Sequence, residues 1–136
     1  MATTDSQTGS RKTSTNGHRD TANRPPDNLT IVGIGASAGG LTPLRTFLAA
    51  LPPDTGMTFV VVVHLAPDHE SVLPDLLRSA TDMPVTQVQA RVAMAPNHVY
   101  VIPPGKRLLV ADGHLELAEL EPTPERRLQI DAFFRT

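Results

Sequence analysis

Cysteine and tryptophan are both absent from this 136-residue chain. Without thiols there is no disulfide, no thiolate metal site and no cysteine nucleophile. Aromatic residues are scarce, one Tyr and four Phe, so a core has to be built from Val, Leu, Ile and Ala. Neither sign of charge dominates: 12 basic against 14 acidic side chains give a net charge of −2, which offers no basic footprint for nucleic acid. No apolar run approaches the roughly 20 residues that span a bilayer. The N-terminus has no apolar core of a secretory signal. A soluble cytoplasmic protein is therefore expected, with no membrane insertion. The length suits one domain and is short for two.

Large apolar residues are also nearly missing from residues 1–28, "MATTDSQTGSRKTSTNGHRDTANRPPDN". A segment of that kind buries too little surface to offset its chain entropy. It is read as a disordered tail closed by Pro25 and Pro26, and residues 29–136 as the folded unit. The acidic residues of the tail argue against a transit peptide.

From Leu29 the pattern changes. Residues 29–34 form a short β-branched run ending in glycine, a buried strand. Residues 41–50 carry Leu41, Leu44, Phe47 and Leu48 at helical spacing, with Pro43 tolerated in the first turn. After a Pro-Pro-Asp loop, "TFVVVV" at 58–63 is apolar on both faces, as in a parallel strand covered on each side. Residues 71–80 read as a helix with Leu73, Leu76 and Leu77 inward, and 85–88 as a third strand. This is a doubly wound, mainly parallel α/β sheet of Rossmann-like type. Short strands at 98–102, 108–110 and 115–117 follow, and Asp112-Gly113 between the last two is a strong hairpin signal. A β-hairpin appended to the α/β body is expected. "LQIDAFFRT" then begins a helix with Ile130, Phe133 and Phe134 on one side.

The glycine-rich stretch "IVGIGASAGG" fits two chemical patterns. Gly33 to Ala38 matches G-x-G-x-x-[G/A] between a strand and a helix, the dinucleotide fingerprint. Gly35 to Gly39 matches G-x-S-x-G, a sharp turn that frees the Ser37 hydroxyl beside helix N–H donors. A tight turn with no chemistry is the third reading. The next strand separates them. A dinucleotide fold wants an acid at its end to hold the ribose, and "VVVVHLAP" has His64 there instead. C-terminal ends of neighbouring parallel strands lie side by side, so His64 falls next to Ser37. A serine beside a histidine base is the start of nucleophilic acyl chemistry. The chain order, serine then histidine on successive strands, differs from an ordinary α/β-hydrolase.

At these residues the chain resembles the catalytic domain of the chemotaxis protein-glutamate methylesterases, the CheB type. "GIGASAGGLTPL" is similar to that family's nucleophile turn and "FVVVVHLAPDHESVLPDLL" to its histidine strand and following helix. "MPVTQVQARVAMAPNHVYVIPPGKRLLVADGHLEL" is similar to its later strands and hairpin, and "LQIDAFFRT" to its SID-x-FFRS segment. The Ser-Ala-Gly-Gly and His-Leu-x-Pro forms look most like the variant fused to the methyltransferase. The resemblance runs from Leu29 to Thr136. It implies hydrolysis of glutamyl methyl esters on the cytoplasmic helices of chemoreceptors, and deamidation of receptor glutamines, without cofactor or metal. Ser37 carries over as nucleophile and His64 as general base. Backbone N–H groups at Ala38 and Gly39 are the oxyanion-hole candidates. The alanine at 38 departs from the Ser-Thr-Gly-Gly form and removes a hydroxyl beside the nucleophile.

A second departure is an absence. The family's orienting aspartate sits in a Gly-x-x-Asp-Gly turn well after the FFRS segment, and Thr136 comes before any such turn. Asp112, Asp68, Asp82 and Asp131 are not assigned to that role; each is read as a turn, cap or solvated residue. Loss of the aspartate lowers kcat in a serine protease by roughly 10⁴, so this chain is expected to be weak or inactive as it stands. A non-catalytic, esterase-like signalling module that docks a receptor is the alternative, and a dinucleotide-binding domain the second alternative. No phosphorylatable receiver domain of the kind that switches better-known members precedes Leu29, so any switch is expected in a partner or fused domain. His69, His98 and His114 lack metal-ligand spacing. Asp68, His69 and Glu70 are read as a helix cap or cleft rim, Met57, Met83 and Met94 as core filler, and Arg78, Arg91, Lys106 and Arg107 as solvated surface.

Overall fold

All six residues of Thr58–Val63 are buried, and the fold is arranged around this strand. The computed structural model describes residues 24–63, 72–120 and 129–136. Along the chain come β1 (Ile31–Ala36), α1 (Leu41–Ala49), β2 (Thr58–Val63), α2 (Leu73–Arg78), β3 (Val85–Gln87), β4 (Val92–Ala93), β5 (His98–Val101), β6 (Lys106–Ala111), β7 (His114–Glu119) and α3 (Gln129–Phe134). Four strands form a sheet in the order β1-β2-β5-β3, with every pairing parallel. The other three form an antiparallel sheet in the order β4-β7-β6.

The period of two along β2 divides the core. Phe59, Val61 and Val63 pack with Leu44, Leu48, Leu73 and Leu77 of α1 and α2. Val60 and Val62 face the other way, towards Leu108, Leu115, Tyr100 and Phe133. A strand covered on both faces has no polar side to offer, which is why "TFVVVV" is apolar throughout. Each valine buried in this way contributes roughly 1.5–3 kcal/mol relative to exposure. Met83 and Met94 fill gaps in the two halves and are almost fully buried.

The structure differs from the sequence reading in five places. First, β1 is shifted: it starts at Ile31 and runs on through both glycines to Ala36, so Gly33 and Gly35 belong to the strand and not to the turn. Second, His98–Val101 is not part of the appended β unit but lies inside the parallel sheet, between β2 and β3. Third, that β unit has a third strand, β4, whose two residues pair with β7; two residues are too few to give a periodic signal. Fourth, Phe47 is 44% exposed and Leu76 only half-buried, so each apolar helix face is narrower than its spacing suggests. Fifth, only one face of the parallel sheet is covered by helices throughout; the second antiparallel sheet shares the other face with α3. The second helix begins at Leu73, with Pro74 near its start; Ser71 lies outside the described residues.

The β6–β7 hairpin turns at Asp112 and Gly113, with φ of 50° and 73°. Both values are positive, as a type I′ turn requires, and only glycine takes such a conformation without strain. Of the expected tail, residues 24–28 are described: Arg24 pairs with Asp27 at 3.1 Å, and Pro25 sits where a side chain on Gly113 would project.

His98 closes the sheet at the N-terminal end of β5. Its ring stacks on Tyr100 at 4.5 Å, and its Nε2 is 2.8 Å from Thr86 Oγ1 on β3. The Tyr100 hydroxyl donates to the Ala93 carbonyl at 3.2 Å and accepts from Ala95 N–H at 3.0 Å. Burial raises the Tyr100 pKa and lowers that of His98.

Replacing the fully buried Leu48 by alanine is expected to cost about 2–5 kcal/mol. The half-buried Leu41→Ala is expected to cost less than half as much, both read from urea unfolding. His98 yields a pH prediction. Below about pH 6.5 the unfolded chain takes up an imidazole proton that the folded chain resists. The contribution of His98 is thus intact above that pH and declines as the pH falls through it. Thermal unfolding from pH 7.5 to 5 should show a decline in Tm that is shallower in His98→Gln; equal slopes would assign the proton uptake to other groups.

Candidate functional site

The ladder between β1 and β2 ends with Ala36 opposite Val63. Ser37 follows at once, still extended, with φ −84° and ψ 171°. Its carbonyl accepts the Gly40 N–H at 2.8 Å. That bond closes one 3₁₀ turn over Ala38–Gly40, which runs directly into α1 at Leu41. The sharp strand-to-helix turn expected from the sequence is therefore present. Ser37 is exposed, and its hydroxyl makes no capping bond to the turn. No acidic side chain stands in the first turn of the 3₁₀ segment or of α1, so nothing there offsets the partial positive charge of the N-terminal amides.

Strand alternation decides which way Ser37 points. Val32, Ile34 and Ala36 pack against the α1–α2 side of the core. Gly33 and Gly35 face α3, and the extended backbone at Ser37 continues that second set. The hydroxyl thus leaves β1 on the α3 side of the sheet.

The four glycines separate by what surrounds them. A Cβ on Gly33 would lie 2.7 Å from Phe134 Cε1 and 2.9 Å from Phe133 Cε1. A Cβ on Gly35 would lie 2.5 Å from Ile130 Cγ2. One on Gly40 would be 3.0 Å from the Ala36 Cβ, whereas Gly39 has nothing within 4 Å. Gly33 and Gly35 therefore admit α3. Both lie inside β1, not in the turn where the dinucleotide motif needs them, which counts against that reading. Gly39 alone faces open space, beside Ser37.

His64 lies outside the described residues, as do Asp68, His69 and Glu70; the side chain of Ala38 is likewise undescribed, though its backbone forms the turn. His98, Asp112 and His114 are placed away from Ser37. His98 pairs in register with Thr58, at the start of β2. The length of β2 separates that end of the sheet from Val63, about 16 Å at strand rise. Asp112 lines a cleft with Leu29 and Ile31 at the start of β1, again the far end. His114 is held at the same hairpin tip, its Nδ1 2.9 Å from the Asp112 carbonyl. Asp131 is engaged by Arg135 of its own helix at 2.9 Å, and Asp82 is exposed. Among the described residues no three His, Asp or Glu side chains could hold a metal ion, and no helix is long and apolar enough to cross a membrane.

Three of the basic side chains read as solvated surface are tied more closely, and the Nε of the fourth, Arg107, is buried. Arg78 pairs with Asp75 at 2.6 Å and donates to the Val85 carbonyl at 3.2 Å, which caps the edge strand β3. Arg91 pairs with Glu116 at 2.8 Å and Lys106 with Glu119. Sequence reasoning missed the role of α3 against β1. The available signal was the alternation G-x-G inside a strand, since glycine at every second position empties one face of it.

Comparison with known proteins agrees with this geometry. The profile of the CheB methylesterase family matches residues 32–136. A protein-glutamate methylesterase/protein-glutamine glutaminase of Hydrogenovibrio crunogenus is 29% identical over 110 residues, 78% of this chain and 29% of the relative. Another, numbered 4, from Geobacter metallireducens is 33% identical over 113 residues, 82% of this chain and 33% of the relative. The crystal structure of the Thermotoga maritima CheB methylesterase catalytic domain superimposes with a TM-score of 0.68 and 25% identity. It covers 78% of this chain and 58% of that one. The chain thus spans about 30% of the length of the first curated relatives it matches. With the family profile, the parallel sheet and the strand-to-helix serine turn in agreement, the chain belongs to the CheB methylesterase family.

Proposed function

We propose that this chain carries the nucleophile half of a protein-glutamate methylesterase centre, with Ser37 as nucleophile and His64 as general base. The observation that supports it most is the register of the ladder. Ala36 is opposite Val63, and the next residues in sequence are Ser37 and His64. Covalent geometry and strand spacing then hold their Cα atoms within roughly 12 Å even at the widest divergence.

The chemistry follows from those positions. The imidazole accepts the Ser37 proton while Oγ bonds to the acyl carbon of a glutamyl methyl ester. The carbonyl oxygen gains negative charge, which N–H groups of the turn at Ala38 and Gly39 stabilise. The open space at Gly39 lets that oxygen approach. The proton passes to the methoxy oxygen, methanol leaves, and water attacks the acyl-enzyme to regenerate serine and release glutamate. A glutamine side chain enters the same sequence with ammonia as the leaving group. The substrate is a chemoreceptor helix, and the reaction belongs to the cytoplasm.

Asp112 stands at the far end of β1 and Asp131 is engaged by Arg135, which supports the reading that neither orients the imidazole. Turnover by this chain alone is therefore expected to be far below that of a complete triad, by roughly 10⁴ if the histidine tautomer is unfixed.

A fluorophosphonate tests the nucleophile without requiring turnover: Oγ bonds to phosphorus and fluoride leaves. Labelling of the folded chain at Ser37 is expected. It should vanish in Ser37→Ala and slow by about 10²-fold or more in His64→Gln, the usual worth of a positioned base. An unlabelled, folded wild type would overturn the hydrolase reading. The non-catalytic receptor-docking module would then be the reading to pursue, by titration against methylated receptor.

A further inference from the structure

We infer that Ile130 is a positioning residue for Ser37, acting through the notch at Gly35; the inference rests on Ser37 being the nucleophile. The observation is the fit between two segments far apart in sequence. Ile130 Cγ2 lies 2.5 Å from where a Gly35 Cβ would stand, and Ile130 Cδ1 lies 3.5 Å from it. Gly35 is two residues before Ser37 and on the same face of the strand. Ile130 therefore touches the backbone directly below the hydroxyl.

The reason β1 needs such a contact lies in its own composition. Its α1-facing side carries Val32, Ile34 and Ala36, which anchor it to the core. Its opposite side carries Ile31 at the start and then Gly33 and Gly35, so towards Ser37 it has no side chain to grip anything. Among the described strands β1 has only β2 beside it. The α3 side of its backbone is thus held by Ile130, Phe133 and Phe134, all contributed by one six-residue helix. Phe133 and Phe134 meet each other edge to face at 5.3 Å and press on Gly33, further from the site. Ile130 is the member at the catalytic end. It is β-branched, so its Cγ2 cannot swing aside without changing the χ1 well that the helix prefers. A stiff side chain against a bare backbone sets the height of the strand over the sheet, and with it the direction in which Ser37 leaves.

Four variants of the folded chain test this: Gly35→Ala, Ile130→Ala, Ile130→Val and the double Gly35→Ala/Ile130→Ala. Two readouts are needed, each normalised to the folded fraction. One is the fluorophosphonate reaction, separated into reversible binding and the bond-forming rate constant. The other is the Ser37 amide and Cβ resonance positions by NMR. Gly35→Ala should lower the bond-forming step roughly tenfold or more with binding little changed, since displacements below 1 Å at a reacting atom have effects of that order. The double variant should recover most of the loss, because the alanine methyl fills the notch that Ile130 leaves. Ile130→Val keeps Cγ2 and should stay near wild type. The Ser37 resonances should move in the Gly35→Ala and Ile130→Ala chains and return in the double.

If both single variants lose Tm but react per folded molecule as the wild type does, with Ser37 resonances unmoved, Ile130 is only structural and the inference is overturned. Failure of the Ser37 reading looks different: the wild type does not label, while the resonances still move and return, and the positioning contact then stands without the chemistry.

Discussion

The parallel ladder between β1 and β2 is the interaction on which the rest depends. It runs for six residue pairs, from Ile31 opposite Thr58 to Ala36 opposite Val63. β2 can hold that register because it is buried on both faces and cannot slip by one residue without exchanging Phe59 and Val61 for Val60 and Val62 between two differently shaped half-cores. With the register held, the two strands end together, and the two residues proposed to carry the chemistry are the next in sequence after each.

The glycines serve a different purpose from the one their motif suggests. A glycine-rich segment after a strand invites a phosphate or substrate interpretation, because a missing Cβ permits close approach. Here three of the four are approached by the protein itself. Gly33 and Gly35 leave a bare strip of backbone on which α3 rests, and Gly40 makes room for Ala36. Only Gly39 is open outward. One short motif therefore answers two demands, helix packing along the strand and access at the turn, and the pattern G-x-G-x-S-x-G-G reads as both.

Much of the architecture was legible because it follows from local rules. "TFVVVV" was identified to the residue as a two-faced buried strand, and the Asp112-Gly113 hairpin turn followed from the demand for positive φ. The strand-to-helix serine turn was likewise apparent, as was the inward set Leu44, Leu48, Leu73 and Leu77. Other features had no local signature. Two residues at Val92–Ala93 cannot show a period. The placement of His98–Val101 between β2 and β3 is a matter of strand order, which the alternation within one strand does not encode. Arg78 capping the β3 edge, and Ile130 meeting Gly35, are contacts across long sequence separations between residues whose own neighbourhoods are unremarkable.

By itself the sequence determined the composition of the core, the presence of most elements, the identity of the serine turn and the resemblance to the methylesterase family, since all of these depend on residue type and spacing along the chain. Only the tertiary structure decided which glycines face the protein and which face open space, because that depends on where α3 lands ninety residues after the strand it covers. It also decided that His98 and Asp112 stand at the opposite end of the sheet from Ser37. The direction of a parallel strand fixes which end each residue occupies, and that direction is visible only once the strands are paired.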